Sequence, residues 1–304
     1  MPFIDNEDYF NLNKIILKKT HSEILDDLLS KLLIKNHNER INWEEYFNHP
    51  FNKQQIIEMY INIEKYETIS NIINKDFQEQ LKDSKILIDG KKTKFNFNFI
   101  FNKGKHKIII ILKKIIKNSK RMFSYCNEII KIKFINFFKN EIKDMSYMFN
   151  QCSNLINLDI SNFKTNKVED MSLMFQNCSK LTNLNLSNFN TENVINMSGM
   201  FNNCSNLINL DISNFKTNNV EDMSGMFNNC SKLTNLNLNK FNTENVKYMK
   251  CMFNNCSNLN NLDISNFKTN KVEDMRLMFQ NCSKLTNLNL SNFNTENVNN
   301  MSFV

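Results

Sequence analysis

Seven methionines, Met145, Met171, Met197, Met223, Met249, Met275 and Met301, follow one another at intervals of 26 residues without a slip. Cys126, Cys152, Cys178, Cys204, Cys230, Cys256 and Cys282 keep the same interval, as do the phenylalanines from Phe123 to Phe279. A fixed period of this length is the mark of stacked units that each contact only their neighbours. The feature restricts more than half of the chain to a quasi-one-dimensional array. Such arrays offer extended surfaces rather than enclosed pockets, which favours binding over chemistry.

One unit, Cys178 to Phe201, reads C-S-K-L-T-N-L-N-L-S-N-F, N-T-E-N-V, I-N-M-S-G-M-F. Leu181, Leu184, Leu186 and Phe189 form L-x-x-L-x-L-x-x-F, and the alternation of Leu184 with Leu186 predicts a short half-buried strand. Val194, Met197, Met200, Phe201 and Cys204 then advance by three, three, one and three, a spacing that predicts one face of a helix. The column Asp144, Asp170, Asn196, Asp222, Asp274 and Asn300, broken by Tyr248, supplies side-chain oxygens suited to an N-cap. A strand and two helical turns are too small to bury their own apolar face, so stacking is required. The expected fold is therefore α/β: a leucine-rich-repeat solenoid of 26-residue strand–helix units over 116–304.

These residues resemble the BspA-like leucine-rich repeats, whose pattern is V-x-x-M-S-x-M-F-x-x-C-x-x-L-x-x-L-x-x-S-x-F. The match covers about residues 116–304, with a looser first unit at Ile116, Ser119, Met122, Phe123, Cys126, Ile129, Ile132, Phe134 and Phe137. The resemblance implies an adhesive or protein-binding array and supplies no catalytic residue. A second period of 52 is superposed: Asp159, Asp211 and Asp263 alternate with Asn185, Asn237 and Asn289. With Asn157, Asn183, Asn209, Asn235, Asn261 and Asn287 beside them, these residues form the candidate binding face. The competing reading is a solvated ladder of Asn side chains with no ligand.

Residues 23–51 put Ile24, Leu28, Leu29, Leu32 and Leu33 on one helical face. Together with Pro2-Phe3, Arg40 and His49-Pro50-Phe51, residues 2–52 resemble the end of a protein kinase C-lobe. The Gly-rich loop, the V-A-I-K lysine, H-R-D and D-F-G are missing from the chain, and phosphoryl transfer needs them. The expectation is a helical kinase-lobe remnant at 1–52, with no enzymatic activity and no cofactor. The alternative reading is a fragment of a serine/threonine kinase whose repeats act in targeting. Apolar residues at 56, 57, 60, 61 and 63 predict a connecting helix over 53–83. Alternating runs around Asp89-Gly90 and Asn102-Lys103-Gly104 predict a β-hairpin cap over 84–115.

Charge is uneven. Residues 1–84 carry 10 basic and 15 acidic side chains, residues 85–140 carry 15 and 2, and residues 141–304 carry 13 and 14. The basic block at 85–140 could attract a weak anionic partner, or its lysines could simply solvate strand faces. Alanine is absent and Asn, Lys, Ile and Phe dominate, a bias that AT-rich codons produce by themselves. No run reaches the roughly 18 apolar residues of a membrane span, and the start has no basic n-region, so a cytoplasmic protein is expected. Ligands 26 residues apart do not suit a metal cluster, so the cysteine column is expected to be buried and reduced, with Cys251 outside it. Val304 falls within a unit, so the sequence resembles a fragment of a longer protein or a truncated gene model; the expected partner is a protein of unknown identity.

Overall fold

The computed structural model describes residues 54–66, 68–94, 96, 98–137 and 141–302. The kinase-like stretch at 2–52 lies outside the described residues. Thirteen short elements follow in order: β1 Ile56–Ile63, β2 Thr68–Asn71, α1 Gln78–Leu81, β3 Lys85–Ile88, β4 Lys91–Thr93, β5 Asn98–Phe101, β6 Gly104–Ile111, β7 Ile129–Ile135, β8 Asn157–Asp159, β9 Asn183–Asn185, β10 Asn209–Asp211, β11 Asn235–Leu236 and β12 Asn261–Leu262. Helix among the described residues is confined to α1, the 3-10 turn before it, Lys75–Phe77, and the 3-10 residue Phe137.

The expected strand–helix unit is therefore corrected. Among the described residues no rung contains an α-helix; each is a coil of short strands and turns stacked in parallel on the next. The Met197–Cys204 stretch shows why. Met197, Gly199, Phe201 and Asn203 donate their N–H groups to the next rung, to Asp222, Ser224, Met226 and Asn228, at 2.7–3.0 Å. The residues between them turn inward along the chain: Met200 N–H bonds Met197 O, Asn202 bonds Gly199 O and Cys204 bonds Phe201 O. Half of the donors thus leave the segment, whereas an α-helix keeps its interior donors for its own carbonyls.

Backbone torsions enforce this. Gly199 and Asn203 have φ of 58° and 60°, and the equivalent pairs Leu173/Asn177, Gly225/Asn229, Cys251/Asn255 and Leu277/Asn281 are also left-handed. A right-handed helix cannot pass through two such residues four apart. Asn tolerates the conformation better than other non-glycine residues. At Gly199 the space is also closed, because a Cβ there would lie 2.5 Å from Leu173 Cδ2. The Met, Phe and Cys columns still share one buried side, as their spacing requires, but on a staircase of turns.

The Asp/Asn column expected to cap helices makes the anticipated bonds in another setting. Asp144 Oδ1 accepts from Ser146 N at 2.8 Å, and Asn196 Oδ1 accepts from Ser198 N at 2.9 Å. These are Asx turns. Isolated parallel bridges link the same column from Asp144 to Asn300.

Packing within the stack repeats rung by rung. Leu181, Leu184, Leu186, Phe189, Val194, Met197, Met200, Phe201 and Cys204 are all buried. Phe123, Phe149, Phe175, Phe201, Phe227, Phe253 and Phe279 form one column of parallel rings with centroids 5.6–5.7 Å apart. A second ladder is polar and buried. Thr217 Oγ1 donates to Asn242 O at 2.7 Å and accepts from Asn242 N at 2.8 Å, and Thr165, Thr191, Thr243 and Thr269 repeat the arrangement. Thr217→Val keeps the shape but orphans both backbone groups of Asn242. The expected loss is about 1–3 kcal/mol in denaturant unfolding, the cost of leaving a buried polar group unpaired.

The N-terminal part is an antiparallel sheet that continues into the stack. A six-stranded sheet runs β4-β3-β6-β1-β7-β8, and β2 pairs separately with β5. The helix expected across 56–63 is a strand. Its residues Ile57, Met59, Ile61 and Ile63 are buried and alternate with partly exposed Glu58, Tyr60 and Asn62, so the operative period is two. The Asp89-Gly90 turn joins β3 to β4 as the sequence suggests. β5 and β6, either side of Asn102-Lys103-Gly104, belong to different sheets. The degenerate first unit is a rung in its own right, with Ile116, Met122, Phe123, Cys126, Ile129, Ile132, Phe134 and Phe137 all buried. β7 pairs antiparallel with β1 and parallel with β8, which makes it the junction. One apolar core runs from Ile57 to Met278.

Candidate functional site: the exposed strand face

From β8 to β12 each strand opens with Asn-Leu, followed by Asn or Asp, and Asn287-Leu288-Asn289 continues the series without a strand. The central Leu packs toward the core and the flanking residues point outward, since successive strand side chains alternate. Asn157, Asn183, Asn209, Asn235, Asn261 and Asn287 are exposed, as are Asn185, Asp211, Asn237, Asp263 and Asn289; Asp159 is half-buried. Parallel register aligns Asn183 with Asn209, Asn185 with Asp211, and Asn235 with Asn261. The structure therefore brings the candidate residues together on one face, in two columns about 4.8 Å per rung.

The two columns differ chemically. In the first, Asn209 Nδ2 donates to Asn183 Oδ1 at 2.6 Å, and Asn183 Nδ2 donates to Thr182 Oγ1 at 3.0 Å. In the second, one oxygen of every side chain is bound back to the chain. Asp211 Oδ1 accepts from Ser213 N at 3.1 Å and Oγ at 2.7 Å; Asn185, Asp159 and Asp263 do the same with Ser187, Ser161 and Ser265. Asn237 accepts from Asn239 N and Asn289 from Ser291 N. What remains for solvent is a carboxylate oxygen on each Asp rung and an NH2 on each Asn rung. Acceptor and donor thus alternate along the column with the 52-residue period. The hydroxyl and N–H of Ser265 hold the Asp263 carboxyl below its ordinary pKa, so that acceptor is an anion at neutral pH.

A shallow trough of about 670 Å3 lies on this face, lined by residues that include Asn183, Asn185, Asn209, Asp211, Asn235, Asn237, Asn261 and Asp263. β10 and β11, which both line it, are not paired with one another, in contrast to β9–β10 and β11–β12. Ile208, 44% exposed, and Thr234 also line the trough. This flanking column is not part of the face expected from the sequence. Its signal is the alternation Ile156, Thr182, Ile208, Thr234 one residue before each Asn.

The cysteine column takes no part in this face. Cys152, Cys178, Cys204, Cys230 and Cys256 are buried, and each Sγ donates to the Phe carbonyl of the preceding rung at 3.1–3.2 Å. All eight cysteines are free, with Cys251 and Cys282 only partly buried. Among the described residues no helix is long and apolar enough to cross a membrane.

These features define a nearly all-β repeat protein whose rungs stack in parallel, with a polar strip along its strands. The family described as "Mycoplasma protein of unknown function, DUF285" matches residues 117–234 and 204–304, and the chain belongs to that family. The matched stretches begin at the degenerate first rung and agree with the BspA-like repeat reading; they do not reach residues 2–52. No curated protein matches the chain.

Proposed function

We propose that the chain is a non-enzymatic protein-interaction array that binds its partner along the exposed strand face. The observation that carries this is the alternation of outward donor and acceptor on Asn185, Asp211, Asn237 and Asp263, beside a trough floored by leucines. An extended polypeptide carries donors and acceptors of both kinds and can pair with such a strip. A second exposed ladder differs: there Lys143 pairs with Glu169 at 2.9 Å and Lys247 with Glu221 at 2.7 Å, so those charges are already matched between rungs. The kinase-fragment alternative rests on residues 2–52 alone and draws no support from the described residues.

A displayed random-peptide library selected on the immobilised protein tests this reading. Selected peptides are expected to lose at least tenfold in affinity for Asn209→Arg/Asn235→Arg. They should bind Lys143→Gln/Lys247→Gln as they bind the unaltered chain. Failure to select any peptide, or equal loss with both variants, overturns the strand face as the binding surface.

A further inference from the structure

The exposed columns continue below the first full rung without changing face. β7 pairs in parallel with β8 so that Lys131 stands beside Asn157 and Lys133 beside Asp159. The two lysines hold the places that Asn and Asp/Asn hold in every later rung. β7 also pairs with β1, setting Lys131 beside Tyr60 and Lys133 beside Glu58. β1 in turn sets Tyr60 opposite Lys107 and Asn62 opposite Lys105 on β6. The alternate residues of these strands, Met59, Ile61, Ile108, Ile132 and Phe134, are buried. Lys105, Lys107, Lys131 and Lys133 therefore share the outward face with the Asn/Asp strip.

Not all of this charge is compensated. Lys107 meets Glu58 at 2.9 Å, whereas Lys133 lies 3.8 Å from Asp159 in an exposed pair too long for a hydrogen bond, which leaves its ammonium donors open. Among the described residues, Lys105 and Lys131 reach no carboxylate, and both are exposed. Lys131 Nζ lies 5.4 Å from the centre of the Tyr60 ring and Lys107 Nζ 5.6 Å from it.

We infer that the partner of the strand face is an extended acidic stretch of polypeptide, which lies along the Asn/Asp strip and seats its carboxylates on Lys105, Lys131 and Lys133. This rests on the strand-face reading above and adds the chemical class and the polarity of the ligand. A nucleic acid fits less well for two reasons. Single strands bind through free aromatic faces, and Tyr60 is taken up by its two lysine neighbours. Asp159, Asp211 and Asp263 would also repel a polymer charged at every nucleotide, as they would an anionic bilayer. A peptide can set amides or hydroxyls against those rungs and keep its acids for the lysines.

The test is fluorescence anisotropy with a labelled decapeptide of alternating Glu and Ser, alongside oligo-uridine and phosphatidylserine vesicles. The peptide is expected to bind the full chain and to lose at least tenfold in affinity for Lys105→Gln/Lys131→Gln/Lys133→Gln. The control Lys180→Gln/Lys232→Gln, in the turns before the strands, should change it less than twofold. Thermal melts of both variants should match the unaltered chain, because every substituted side chain is exposed. No peptide binding, equal effects of the two variants, or lysine-dependent binding of RNA or vesicles as tight as that of the peptide overturns the inference. Library peptides that bind the strip yet ignore the three lysines would do so while leaving the strand-face reading intact.

Discussion

Phe227→Ala is expected to destabilise the stack by about 3–5 kcal/mol, the usual cost of emptying a buried phenylalanine site. Phe227 lies between Phe201 and Phe253, each 5.6 Å away and within 10° of parallel, so the substitution interrupts a column as well as opening a cavity. Aromatic pairs contribute about 0.5–1.5 kcal/mol beyond the area they bury, and two pairs are lost. Coupling in a stacked array is between neighbours, so amide exchange should accelerate first in the rungs around 201, 227 and 253. Asn235→Ala is the comparison. Its side chain is exposed and makes one long contact, to Thr234 Oγ1 at 3.5 Å, so the change should stay within about 0.5 kcal/mol. Equal losses for the two variants would mean that the inward and outward columns had been assigned wrongly.

The periodic core and the exposed face were both legible in the residues, because each depends on recurrence rather than on local conformation. Leu184 has to be inside if Leu210 and Leu236 are, and the polar residues on either side of it then have to be outside. Conformation between the strands was not legible from the same spacing. Apolar residues at 194, 197, 200, 201 and 204 suit one face of a helix and one edge of a turn staircase equally well. The deciding signal lies in the residues between them. Asn177, Asn203, Asn229, Asn255 and Asn281 always precede the cysteine, and Gly199 and Gly225 stand four residues earlier. Left-handed positions at that interval stop a helix, and the N–H groups released by each turn find carbonyls one rung away. β1 was misread for a related reason. Ile56-Ile57 and Tyr60-Ile61 suggest a four-residue spacing, but the buried set Ile57, Met59, Ile61 and Ile63 has a spacing of two. The lysines of 85–140 looked like codon bias while they were a block in the chain; pairing across β6, β1, β7 and β8 is what gathers some of them beside the Asn strip.

Raising the pH from 8.5 to 10 should destabilise the protein steeply, through its thiols. Burial pushes the Cys152 and Cys204 thiols up to about 12 and raises Cys126, Cys178, Cys230 and Cys256 as well. In the unfolded chain a cysteine titrates near 8.5. Above that pH the unfolded state binds fewer protons than the folded state, so stability falls as pH rises. The protection is complete below about pH 8.5 and is lost progressively toward the folded values. Each such thiol costs up to about 1.4 kcal/mol per pH unit in that window, so Cys152 and Cys204 together remove about 3 kcal/mol between about pH 8.5 and 10. Lysine and tyrosine titration adds to the slope in every variant, so the informative quantity is a difference of slopes. Cys152→Ala/Cys204→Ala should unfold more easily at pH 7, since two buried side chains are trimmed. Its stability should nevertheless fall less steeply with pH than that of the unaltered chain. Thiol reagents at pH 8 should meanwhile reach Cys251 and Cys282 in the native protein, where both are partly exposed, and the remaining six only after denaturation. Parallel pH slopes for the two proteins, or rapid native labelling of Cys152 and Cys204, would show that the column is not held in the dry, protonated state on which the stack depends.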